Sequence, residues 1–249
     1  MNVAAFDESA FLNGAIRIFQ PIEGYRAATD PVLMAAAVPA RPGQRVLDLG
    51  CGVGTAALCL GNRVADLDLH GLEIQPEYAS LARRNADLNR LSMTVHQGDV
   101  AAVPAALRAL VFDAVMLNPP WYPPEETPSP DAGRDKARRT ELPVGSWIDA
   151  ALSRLRQGGY LVSIQRIDRL AAIVTALDGP AGAIEILPLT ARVGRDAKRV
   201  IVRARKTSRT PLRLASPLVL HDGTSHVRDR DDFSPRAAAI LRDGAELEF

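Results

Sequence analysis

The chain lacks the features that would mark a membrane protein, a secreted protein or a metalloprotein. No run of about 18 apolar residues occurs, and Met1 to Ala10 carries acidic residues where a signal peptide would carry basic ones. Cys51 and Cys59 are the only cysteines, with no CxxC pair and no Cys/His cluster at zinc spacing. Neither a disulfide framework nor a metal site is therefore expected, and both thiols read as reduced. There is also no internal repeat. These absences point to a soluble, cytoplasmic protein with no membrane partner. Its 249 residues, 47% of them hydrophobic, are enough to bury the core of one α/β domain with additions.

The formal net charge is only +1, which hides a segregation along the chain. Residues 134 to 213 hold 17 Lys or Arg against 7 Asp or Glu, whereas the rest of the chain holds 13 against 22. A basic second half is what a phosphate-binding face needs. Strand edges that carry Lys and Arg against aggregation would give the same bias.

From Arg45 onward, short apolar runs alternate with helical stretches. The runs are Val46 to Leu49, Leu67 to Leu72, Met93 to Gln97, Phe112 to Leu117, Tyr160 to Gln165, Ile184 to Leu187 and Val200 to Ala204. That alternation predicts a mixed sheet of seven strands built from βαβ units. Tyr78, Leu81, Ala82, Ala86 and Leu88 form one helical stripe, and Trp147, Ala150, Ala151 and Leu155 form another, which Gly158-Gly159 is expected to stop. The last two runs read as a hairpin joined through Arg192 to Lys198. Residues 1–40 form a leader whose helix begins near Thr29-Asp30-Pro31, with Thr29 or Asp30 as its cap. Residues 41–213 form the main domain and residues 214–249 an extension. Pro123 to Thr140 is polar and Pro-rich, which suits a functional loop.

Asp48-Leu49-Gly50-Cys51-Gly52-Val53-Gly54 places small residues at the end of the first strand. Glycines there let the backbone turn sharply and approach a ligand. A pyrophosphate-binding turn would usually read GxGxxG; this one reads GxGxG with an acidic residue at its head. A phosphate-free cofactor with an amino-acid moiety fits better, with Asp48 facing the ammonium group of S-adenosylmethionine, although an Asp that merely organises the turn would look the same. The second strand ends at Glu73-Ile74, where a carboxylate suits the ribose hydroxyls. The third ends at Gly98-Asp99-Val100, where the carboxylate suits an adenine amino group and the valine its ring. The three acidic strand ends should share one carboxyl edge of the sheet.

Asn118-Pro119-Pro120-Trp121 follows the fourth strand and should lie on that same edge. An exocyclic amine on a base is a poor nucleophile because its lone pair is conjugated with the ring. Two acceptors for its N–H bonds, the Asn118 side-chain oxygen and the Pro119 carbonyl, would localise that pair without a general base. The prolines fix the backbone, and Trp121 offers a stacking face. Taken alone, the tetrapeptide would read as an ordinary Pro-Pro turn.

Together these motifs resemble the Rossmann-like, class I S-adenosylmethionine-dependent methyltransferases that carry an NPP(Y/F/W) sequence. Tyr25-Arg26-Ala27-Ala28-Thr29-Asp30 and the apolar residues after it are similar to the segment before the first strand in bacterial tRNA1(Val) (adenine-N6)-methyltransferases. That likeness runs from about Phe19 to Val202. It departs at Trp121, where the family usually has Tyr, and at Met34, where it has Leu. The resemblance implies an α/β fold with a seven-stranded mixed sheet and helices on both faces. It also implies S-adenosylmethionine bound by Arg26, Thr29, Asp48, Gly50, Cys51, Gly52, Gly54, Glu73, Ile74, Gly98, Asp99, Val100 and Asn118, with catalysis at Asn118, Pro119, Pro120 and Trp121.

The substrate it implies is RNA, with tRNA first. Tyr122, Arg134, Arg138, Arg139, Lys198 and Arg199 are candidate contacts, alongside the basic residues from Arg203 to Arg213. Three other readings share the motifs: a release-factor glutamine methyltransferase, a ribosomal RNA guanine-N2 methyltransferase, and a non-catalytic RNA-binding subunit of this fold. The first usually carries a longer helical N-terminal domain than the roughly forty residues found here before the sheet. A subunit without activity would not need the whole set of acidic strand ends with Asn118.

Overall fold

A computed structural model describes residues 6–120, 142–223 and 232–249. Trp121, Tyr122, Arg134, Arg138, Arg139 and the Pro123 to Thr140 loop lie outside the described residues. A hairpin of β1 (Phe6–Phe11) and β2 (Ile16–Pro21) is followed by α1 (Thr29–Ala37). The alternating region then runs β3 (Arg45–Leu49), α2 (Thr55–Arg63), β4 (Asp68–Glu73), α3 (Pro76–Leu88), β5 (Met93–Gln97), α4 (Ala105–Arg108), β6 (Phe112–Leu117), α5 (Val144–Arg154), β7 (Leu155–Arg166), α6 (Leu170–Leu177), β8 (Ala181–Thr190) and β9 (Arg199–Lys206). Two-residue strands β10 (Arg213–Leu214) and β11 (Leu218–Val219) precede α7 (Pro235–Asp243).

The seven strands β3 to β9 order as β8-β9-β7-β6-β3-β4-β5, and β9 alone runs antiparallel to its neighbours. The short β10 and β11 both pair with β8 in parallel, bringing the sheet to nine strands rather than seven. The central strands are buried on both faces because helices cover both, and alternate residues feed two cores. Val46, Met116, Val162 and Ile164 pack toward α1 and α2, while Leu47, Leu49, Val115 and Leu117 pack toward α5 and α6. No helix among the described residues is long and apolar enough to cross a membrane.

Strands β5 and β6 have the bounds their apolar runs predict, but two local readings need correction. Gly158-Gly159 does not stop a helix: α5 ends at Arg154, where Lys206 Nζ donates to the carbonyls of Leu152 and Leu155 at 2.7 Å each. The glycines sit inside β7 at a bulge, where pairing with β6 jumps from Phe112–Leu155 to Ala114–Tyr160. Gly158 has φ +71°, and a Cβ on Gly159 would lie 2.9 Å from the Asp113 carbonyl oxygen, so the bulge itself demands both. Nor do Thr29 and Asp30 cap α1. Its N-cap is Ala28, without a side-chain bond, and Asp30 Oδ2 instead accepts from Arg199 Nε at 3.1 Å.

Helix α3 holds the leader hairpin through two asparagines one turn apart. Asn85, fully buried, accepts from the Phe19 N–H at 2.8 Å and donates to the carbonyls of Phe19 at 3.1 Å and Val53 at 2.9 Å. Asn89 repeats the pattern on Arg17, accepting at 2.9 Å and donating at 2.7 Å. Four residues of helix rise about 6 Å and two residues of strand about 6.7 Å, so i, i+4 amides match alternate residues of β2. Asn85→Ala removes three bonds to buried backbone groups. The expected loss is about 3 kcal/mol of unfolding free energy, read by urea denaturation, with a smaller loss for the more exposed Asn89→Ala.

Candidate active site

At the end of β3 the chain turns through Gly50 (φ +81°) and Gly52 (φ +55°), conformations that favour glycine. The N–H groups of Gly50 and Cys51 both donate to the Leu72 carbonyl, at 2.8 and 2.9 Å, tying the turn to β4. A Cβ on Gly50 would meet the Trp147 ring at 3.0 Å, so the indole of α5 forms the wall behind the turn. Glu73 fixes the other side. Its Oε2 accepts from the Gly52 N–H at 2.9 Å and its Oε1 from the Gln75 N–H at 2.8 Å. Burial raises the Glu73 pKa while these N–H groups oppose the rise. With the Ile74 N–H as a third donor, the carboxylate still has acceptor capacity that a ribose hydroxyl can use.

Asp48 is 2% exposed, and burial pushes its carboxyl up to about 7, against a backbone N–H bond from Ala57 that lowers it. Its Oδ2 and the hydroxyl of buried Thr55 have no hydrogen-bond partner among the described residues. Both residues line one cavity of about 850 Å³. A buried carboxylate oxygen without a partner is costly unless a donor completes it. The Cys51 thiol beside it is also buried and raised well above its usual range, which makes it unreactive.

The cavity brings together Arg26, Thr29, Asp48, Gly50, Cys51, Gly52, Glu73, Ile74, Gly98, Asp99, Val100, Asn118, Pro119, Pro120 and Arg199. Gly54 and Lys198 are not in its lining. Gly54 is the left-handed N-cap of α2, where a Cβ would lie 3.5 Å from Ala82, and Lys198 is exposed on the loop between β8 and β9. Arg26 is anchored to the hairpin, donating to Asp7 Oδ1 at 2.6 Å, Ser9 Oγ at 3.0 Å and the Pro21 carbonyl at 3.1 Å. Asp99 Oδ1 accepts from the Ala101 N–H at 2.9 Å, and Val100 is buried beside it. The Pro119 carbonyl accepts from Gln165 Nε2 at 2.6 Å. Sequence reasoning missed Thr55, Trp147 and Gln165. Thr55 directly follows the glycine turn and Trp147 belongs to a recognised helical stripe; Gln165 carries no motif.

The basic residues of β9 do not form one patch. Arg203 and Arg213 both pair with Glu185, holding its pKa below the usual carboxylate range against desolvation. Arg205 donates to the Gly158 carbonyl at 2.9 Å, at the amino edge of the sheet. At the carboxyl edge, the β8–β9 loop is hydrogen-bonded to the end of β7 by the Ile167 N–H and the Lys198 carbonyl, 3.2 Å apart. Arg195 and Lys198 are exposed on that loop and Arg169 lies in the turn after β7, none of them in an ion pair among the described residues. Buried Arg192 anchors the loop to Asp232 and the Asp222 carbonyl.

S-adenosylmethionine fits these features on three counts. The volume is that of a small-molecule pocket. Asp48 Oδ2 lacks the donor an ammonium group supplies. Glu73 and Asp99 keep free acceptor capacity where a nucleoside would lie. Because the Asp48 pKa is about 7 in the fold and about 3.9 when unfolded, its stabilising share is whole below pH 4 and is lost as pH rises to 7. Asp48→Asn is therefore expected to raise the stability of the ligand-free protein, by a margin that grows from pH 4 to 7 and then levels. Thermal melts across that range check this.

The methyltransferase small domain family matches residues 28–169. A tRNA1(Val) (adenine(37)-N6)-methyltransferase of Yersinia pestis (strain Pestoides F) is 34% identical over 130 residues, 51% of this chain and 50% of that protein. The chain thus spans about half the length of the curated relatives it matches. The crystal structure of a predicted O-methyltransferase from Agrobacterium tumefaciens superposes with a TM-score of 0.71 at 27% identity, over 88% of this chain and 98% of that one. A 16S rRNA N2 methyltransferase of Thermus thermophilus, solved with AdoMet and guanosine, shares the fold with a TM-score of 0.56 at 18% identity, over 81% of this chain and 50% of that one. With more than half its length inside the family match and its sheet in the same fold, the chain belongs to the methyltransferase small domain family.

Proposed function

We propose that the protein transfers a methyl group from S-adenosylmethionine to the exocyclic N6 of an adenine in tRNA. The observation that carries this reading is the placement of Asn118 and Pro119 at the end of β6, in the same cavity wall sequence as Asp48 and Glu73. The curated relatives named for adenine-N6 methylation support the choice of base. S-adenosylmethionine supplies an electrophilic methyl group on a sulfonium sulfur. Asp48 and Thr55 would hold its amino-acid end, Glu73 its ribose, and Asp99 with Ile74 and Val100 its adenine.

For the target base, Asn118 Oδ1 and the Pro119 carbonyl accept the two N–H bonds of the amine and draw its lone pair out of conjugation. The nitrogen would gain the methyl carbon as the carbon–sulfur bond breaks to leave a neutral thioether, and the cationic nitrogen would then release one proton to water, so no strong base is required in advance. An anticodon-loop base is already partly unstacked, which lowers the cost of presenting it. Arg169, Arg195 and Lys198 follow β7 and β8 at the carboxyl edge and would meet the RNA backbone there.

The test is to supply labelled S-adenosylmethionine with unmodified tRNA, ribosomal RNA or release factor in separate reactions, then identify the labelled nucleoside or residue by mass spectrometry. N6-methyladenine from tRNA is the expected product. Label in guanine or in a glutamine amide would overturn the choice of acceptor. Asn118→Ala is expected to lower kcat by about 10²–10³-fold while cofactor affinity, read by calorimetry, is retained. Reversing Arg195 and Lys198 to Glu is expected to weaken RNA binding and flatten its salt dependence by about 0.7–0.9 per lost phosphate contact, whereas reversing Arg209 on the opposite edge should not.

A further inference from the structure

We propose that Gln165 is a positioning residue for the reaction, setting the direction in which the Pro119 carbonyl accepts the target amine; this rests on the function proposed above. The ladder between β6 and β7 ends at the Leu117–Ser163 pair. Two residues further along the same register, Pro119 stands level with Gln165. Neither Pro119 nor Pro120 has an N–H, so the backbone pairing of β6 with β7 cannot continue past them. Gln165 fills that place from its side chain. It is 2% exposed, its own backbone pairs with Val200 of β9, and its Nε2 donates to the Pro119 carbonyl at 2.6 Å.

A carbonyl oxygen has two lone pairs. With one taken by a donor fixed in the sheet, the peptide plane can no longer swing, and the remaining lone pair points in one direction only. Asn118 precedes that same carbonyl in the chain and lines the cavity with it. One strand-borne amide thus sets the angle between the two acceptors that the amine must meet together. A glutamine that only satisfied a buried carbonyl would matter to folding and to nothing else, and the two roles separate experimentally.

Gln165→Leu keeps the approximate volume and loses the donor. Gln165→Glu offers a donor only when protonated, and its ionised form would set a negative oxygen against the carbonyl. With saturating cofactor, Gln165→Leu is expected to lower kcat by about 10²-fold, the scale of a small misplacement of reacting groups, while cofactor affinity by calorimetry stays at the wild-type value. Gln165→Glu should regain turnover as pH falls, as its carboxyl takes up a proton and donates to Pro119. The wild type and the Leu variant should show no such gain. Wild-type kcat in a folded, cofactor-binding Leu variant would overturn the proposal, as would a Glu variant whose pH profile parallels the wild type. A wild type that methylates none of the tRNA, ribosomal RNA and release-factor acceptors would instead overturn the function on which the proposal rests.

Discussion

The buried amide of Asn85 ties together three parts of the molecule: helix α3, the leader hairpin and the glycine turn. Its oxygen and nitrogen bond both backbone groups of Phe19 on the leader hairpin, and its nitrogen also reaches the Val53 carbonyl inside the glycine turn. Because backbone groups buried without partners are strongly disfavoured, the hairpin and the turn can take only the positions that Asn85 satisfies together. The leader then runs from the end of β2 through Arg26 to α1, and it becomes one wall of the cavity.

The opposite wall follows from strand order. β3 pairs with β4 on one side and β6 on the other, so the chains leaving β3 and β6 diverge and open a crevice at their carboxyl ends. Glu73, Asp48 and Asn118 come to one place because each lies within one residue of the carboxyl end of its strand. The antiparallel β9 works against this clustering. It carries Arg199 to the cavity and Arg205 with Lys206 to the far edge, about 20 Å away at strand rise, so adjacency in sequence does not become a single basic surface.

That contrast explains what could be read beforehand. The bounds of β5 and β6 were legible because apolar runs flanked by polar residues need no knowledge of neighbours. The glycine turn and the acidic strand ends were legible because their spacing alone implies one edge. Gly158-Gly159 misled because a bulge depends on the partner strand, and a pair of glycines after a helical stripe looks the same as a stop. Asp30 misled for a related reason: its partner, Arg199, lies 169 positions away. Asn85 and Gln165 escaped notice because a lone polar residue on a helix or strand reads as solvent-facing until its buried partners are known.

The carboxylate of Asp48 has a consequence for how the proposed enzyme would respond to its surroundings. The ammonium group that it is proposed to hold belongs to the amino-acid end of the cofactor, which methyl transfer leaves unchanged. Contacts of that kind bind the starting and spent forms alike and contribute nothing to the chemical step. S-adenosylhomocysteine would therefore retain the Asp48 contact and compete for the same cavity. Turnover would then follow the ratio of fresh to spent cofactor more than the amount of either.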